Sequence, residues 1–149
     1  MTHIRSVLFT IALCVLSIAA QAQDGADQKA VLVTGASSGI GLKIAQTLAA
    51  NGYYVYAGAR KADDLARLDS MDNVSAVQLD VTVQSDIDAA VAFVLAQGRG
   101  VWGIVNNAGI GRYAPLVNGA EAEFRLTCVV NVMGPFKCIL AGRRGGVAG

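Results

Sequence analysis

Three glycines, Gly35, Gly39 and Gly41, punctuate the run Thr34-Gly35-Ala36-Ser37-Ser38-Gly39-Ile40-Gly41, which follows a short apolar stretch, Ala30–Val33. Glycine at these spacings permits a sharp turn, admits an anion to a backbone without Cβ atoms, and lets a helix pack closely on the strand it follows. The first N–H groups of that helix have no partners within it, so they suit a phosphate. The run therefore reads as a nucleotide cradle, with Gly35, Ser37, Ser38, Gly39, Ile40 and Gly41 contacting a diphosphate. Asp80-Val81, Asn106-Asn107-Ala108-Gly109 and Asn131 follow in chain order. The one histidine is His3, which leaves no histidine-based triad and no metal cluster.

Positioning these groups requires strands that deliver them to one edge. Ala30–Thr34 is the first predicted strand, and a helix over 39–50 follows, with Ile40, Ile44 and Leu48 recurring on one face and Asn51-Gly52 ending it. Tyr53–Ala59, Val74–Leu79 and Val101–Asn106 are the next strands, rich in aromatic and β-branched residues. Between them lie a short charged helix from Asp63 to about Met71 and a helix beginning near Ser85. In the latter, Ser85 and Asp88 form a predicted cap, and Ile87, Val91, Val94 and Leu95 an apolar stripe, stopped by Gly98 and Gly100. A loop with Pro115 then leads into a long helix from Ala120 to Val132 or beyond. Alternating helices and uniformly apolar strands predict an α/β fold, a doubly wound parallel sheet of about four strands over 30–140, incomplete as it stands. Residues 141–149 read as an unstructured tail because they lack apolar periodicity.

The 149 residues carry a formal net charge of +1, which provides no field for nucleic acid. Arg5, the apolar run from Val7 to Ala20 and the small residues of Ala20-Gln21-Ala22 form a leader, followed by a polar linker over 23–29. It is either cleaved after Ala22, giving an exported protein, or kept as an amino-terminal membrane anchor. Cys14 lies in the leader. Cys128 and Cys138, if on one helix, stand about 15 Å apart, beyond the roughly 7 Å between Cα atoms that a disulfide spans.

The ordered set TGASSGIG, Asp80-Val81, Asn106-Asn107-Ala108-Gly109 and Asn131 resembles the short-chain dehydrogenase/reductase family, over residues 30–138. The resemblance implies that Asp80 hydrogen-bonds an adenine with Val81 packed beside it, and that Asn107, Ala108 and Gly109 brace the fourth strand and lie along the adenosine ribose. It also implies that Asn131, as a catalytic residue, helps hold a water in a proton relay. At the end of the second strand, where an acid would accept from a ribose 2′-hydroxyl, the sequence has Ala57-Gly58-Ala59-Arg60. Arg60 is a planar cation suited to a 2′-phosphate, so NADP(H) is expected over NAD(H), unless Asp63 or Asp64 folds back.

The family protonates its substrate oxygen with a tyrosine followed four residues later by lysine, aided by a serine. The residues four after Tyr53, Tyr54, Tyr56 and Tyr113 are Ala57, Gly58, Arg60 and Val117, so this sequence holds no such pair. The expectation is the cofactor-binding half of an oxidoreductase acting on a carbonyl or secondary alcohol, truncated, inactive by itself and poorly soluble. The alternatives are a non-catalytic NADP(H)-binding module, pairing through its long helix with a second copy or relative, and a secreted interaction domain without cofactor.

Overall fold

The computed structural model describes residues 28–111, 117 and 119–145. The leader, linker residues 23–27, Tyr113, Pro115 and residues 146–149 lie outside them. Four parallel strands, β1 (Ala30–Val33), β2 (Tyr54–Ala59), β3 (Val74–Gln78) and β4 (Gly103–Val105), form one sheet in the order β3-β2-β1-β4. Val33 is level with Ala57 on one side and Val105 on the other, so the carboxyl ends of β2, β1 and β4 open at one edge.

Alternation along the strands assigns each face its helices. Ala30, Leu32 and Tyr56 point to one side and pack with Ile87, Ala90 and Val94 of α3 (Gln84–Ala96) and with Cys138 and Ala141 of α5 (Gly134–Gly142). Val31, Val33, Val55 and Ala57 point to the other and pack with Ala45 and Ala49 of α1 (Gly39–Ala50) and Leu68 of α2 (Ala62–Asp69). Both faces of β1 are buried, which is why its four residues are all apolar.

Several expectations need correcting. The face α1 buries carries Gly41, Ala45 and Ala49, because small residues let the helix lie close to the sheet, whereas Ile40 is 75% exposed. Helix α3 begins with Val83 at its N-cap and has no side-chain cap. Asp88 instead accepts from Gln84, and Asp86 accepts from the Asp80 N–H, so the acids serve other turns. Leu95 lies outside the buried stripe. The long helix runs on past Val132 as expected, but not as uniform α-helix: α4 (Glu121–Cys128) passes through a π-helical turn, Val129–Met133, into α5. Pro135 has no N–H to offer the carbonyl of Asn131, its α-helical partner, and a widened turn accommodates the break. The chain after residue 140 is also not an unstructured tail from its start. Ala141 and Gly142 complete α5 in the core, and Arg143–Gly145 make a 3₁₀ turn. Cys128 and Cys138 are free thiols.

Tyr56 is fully buried, and its hydroxyl has no hydrogen-bond partner among the described residues. Its ring packs edge-on against Tyr54 and Phe93. Replacing Tyr56 with phenylalanine keeps those contacts and removes an unpaired polar atom, so denaturant unfolding should show unchanged stability or a gain of up to about 1 kcal/mol. A loss of that size would reveal a partner for the hydroxyl.

Candidate functional site

The site is built around the junction of β1 and β4. Thr34, the residue after β1, is 1% exposed, and its Oγ1 accepts from the N–H groups of Asn107 and Ala108 at 3.0 Å each while donating to the Val105 carbonyl at 3.4 Å. Asn107 returns the contact, its Nδ2 donating to the carbonyls of Thr34 at 3.1 Å and Gly35 at 3.0 Å. These bonds satisfy a buried hydroxyl and fix the two loops that leave the sheet.

The glycines are required where the loops meet. Gly35 has φ +65°, and a Cβ there would come within 2.9 Å of the Ala108 Cα. A Cβ on Gly41 would collide with the Gly35 carbonyl oxygen and the Asn107 amide. Gly39, with φ +54°, turns the chain into α1, whose N-cap residue Ser38 makes no side-chain cap and whose first turn holds no acid. Its leading N–H groups thus meet no competing side-chain anion, as a phosphate site requires.

Gly35, Ser37, Ser38, Ile40 and Gly41 line one side of a cleft of about 750 Å³, and Asn107, Ala108 and Gly109 line another. Arg60, Asp80 and Val81 complete its wall. Gly39 shapes the turn without lining the cleft. Arg60 is 3.7 Å from Asp80 in an ion pair, and Asp64 bonds to Arg67 on its own helix. The Asp80 Oδ1 accepts from the Thr82 N–H at 2.9 Å and hydroxyl at 2.7 Å. Burial pushes the Asp80 carboxyl up, but those bonds and the Arg60 charge outweigh it and hold it below the usual carboxylate value. Val81 is buried against Gly134, where a Cβ would lie 2.8 Å from its Cγ2.

Asn131 lies on the helical segment where it was expected, and its side chain is tied to the loop after β4. It is exposed, within the π turn, and its amide is engaged by the backbone of Ile110, accepting from the N–H at 2.9 Å and donating to the carbonyl at 2.8 Å. It therefore clamps the loop after β4 and reaches the cleft through Ile110. Thr34, Thr82 and Arg67 were not among the sequence candidates. A threonine closing an otherwise apolar strand was a readable signal for Thr34; an Asp-x-Thr turn was one for Thr82; Arg67 had none.

Gly41→Ala should lower stability by about 2 kcal/mol, because the Cβ meets backbone and a bound amide, and should abolish nucleotide binding with it. Thermal melts and equilibrium titration read the two effects. Asp80 predicts the acid limb. Its depressed folded-state pKa stabilises the fold above the unfolded value of about 3.9, and that contribution is lost as pH falls through the lower folded value. Asp80→Asn should flatten the stability profile below about pH 4.

The sequence profile described as short chain dehydrogenase matches residues 29–144. The "uncharacterized oxidoreductase YbbO" of Escherichia coli K12 is 41% identical over 108 residues, 72% of this chain and 40% of its own length. A short-chain dehydrogenase from Streptomyces avermitilis superposes with a TM-score of 0.74 at 36% identity, over 80% of this chain and 44% of that one. The F189W actinorhodin polyketide ketoreductase, solved with NADPH, gives 0.75 at 30% identity, over 80% and 48%. The chain thus spans less than half the length of these relatives. With a parallel sheet, an uncapped glycine-rich helix start and a cleft at the strand ends in place, the chain belongs to the short-chain dehydrogenase/reductase family of NAD(P)-binding oxidoreductases.

Proposed function

We propose that the chain is the cofactor-binding portion of an NADP(H)-dependent oxidoreductase acting on a carbonyl or secondary alcohol. The observation that carries the cofactor choice is Arg60, which follows β2 directly and lines the cleft where a ribose 2′-hydroxyl would otherwise meet a carboxylate. Its side chain is 70% exposed, so the ion pair with Asp80 is weak and orients the guanidinium more than it occupies it. Free N–H groups on that planar fork suit a 2′-phosphate. The ketoreductase solved with NADPH supports the same choice.

NADP(H) supplies or accepts the hydride when bound. The residues of this chain bind and orient it: the N–H groups at the start of α1 take the diphosphate, Asp80 takes the adenine amino group, and Ala108 and Gly109 line the ribose. Asn131 is a positioning residue, holding Ile110 and with it the loop along the cofactor.

Titration of the full chain with NADPH and NADH tests the proposal. NADPH should bind at least tenfold more tightly, about 1.4 kcal/mol. Arg60→Ala should remove the difference, and Arg60→Asp should favour NADH. Equal affinities in the unaltered chain would end the case for NADP(H).

A further inference from the structure

We propose that Arg67 is a positioning residue of the dinucleotide cradle, locking the Ser37–Ser38 peptide so that the Ser38 N–H faces the diphosphate; the inference rests on the nucleotide-binding reading above. Arg67 lies in the last turn of α2, outside the lining of the cleft. Its Nη2 donates to the Ser37 carbonyl oxygen and to the Asp64 Oδ1, the latter at 2.9 Å. Ser37 and Ser38 themselves line the cleft.

The carbonyl and N–H of a trans peptide point in opposite directions. With the Ser37 carbonyl held on α2, the Ser38 N–H points away from α2. The loop needs such a hold because it runs between Gly35 and Gly39, both at positive φ, where a peptide can swing with little steric penalty. Its first half is tied by the Ala36 N–H to the Gly58 carbonyl at 2.8 Å. Its second half has no side-chain cap at Ser38, and Arg67 supplies the tie from outside. Asp64 fixes the guanidinium and offsets its charge, so Arg67 serves the loop and leaves the 2′-phosphate to Arg60.

Arg67 and Arg60 therefore have different signatures. Arg67→Ala should weaken NADPH, NADH and ADP-ribose by a common factor of about ten, with adenosine, which lacks a phosphate, unaffected. Arg67→Lys should recover part of the loss, since lysine can donate to Ser37 without forking to Asp64, and Asp64→Asn should give a smaller loss than Arg67→Ala. Arg60→Ala should alter the NADPH to NADH ratio alone. Thermal melts of each variant confirm that the fold is retained. Unchanged affinity in Arg67→Ala overturns the proposal, as does a loss confined to NADPH, which would make Arg67 a direct phosphate ligand. Equal NADPH and NADH affinity in the unaltered chain, with both weakened by Arg67→Ala, would refute the NADP(H) preference and leave the role of Arg67 standing.

Discussion

The reciprocal hydrogen bonding between Thr34 and Asn107 is the constraint on which the site depends. In a parallel sheet, strands deliver their following loops to the same edge, but nothing in the strand ladder fixes those loops against one another. Here one buried hydroxyl takes two backbone N–H groups from the loop after β4, and one amide takes two carbonyls from the loop after β1. Donors and acceptors are matched around the buried Thr34 hydroxyl, where leaving a group unpaired costs about 1–3 kcal/mol. The clasp therefore holds as a unit or loosens as a unit.

Its geometry dictates the glycines around it. Drawing the loops together brings Ala108 against Gly35 and the Asn107 amide against Gly41, leaving no volume for a Cβ at either glycine. The same closeness brings the start of α1 to the mouth of the cleft. The helix N-terminus can then present its N–H groups to an anion while Arg60 and Asp80 define the far wall. Backbone forms one wall of the cleft, and side chains that follow β2 and β3 form the other.

Much of this was legible because it obeys local rules. The apolar runs marked the strands, and Gly35 through Gly41 marked the turn and helix start with the right boundaries. Arg60, Asp80 and Asn107 fell at strand ends, where a doubly wound sheet collects its ligands, and all three line the cleft. Long-range geometry explains the errors. Ile40 has helical spacing with Ile44 and Leu48, yet close helix packing favours the alanine and glycine face over the bulky one. The π turn over Val129–Met133 was missed, although Pro135 just beyond it was its warning. Arg67 could not be picked from sequence, because its bond to Ser37 joins positions 30 residues apart that only the folded loop brings together.

The polar ties around the cleft and the burial of apolar surface are separable in this molecule. The side chains of Thr34, Asn107, Asp80 and Asn131 find their partners within residues 34–131, so the loops around the cleft are held by bonds between described residues. The apolar surface is not closed in the same way. Among the described strands β4 pairs with β1 alone, Trp102 beside it is 57% exposed, and Phe136, Ile139 and Leu140 project from α5 into solvent. A parallel sheet is stable with both faces covered, and relatives of this chain extend well past the matched region. Substitutions at these exposed apolar residues should therefore act on association and solubility, whereas changes at the clasp should act on the loops that line the cleft. The two respond to different chemistry, hydrophobic area in one case and paired hydrogen bonds around an anion in the other.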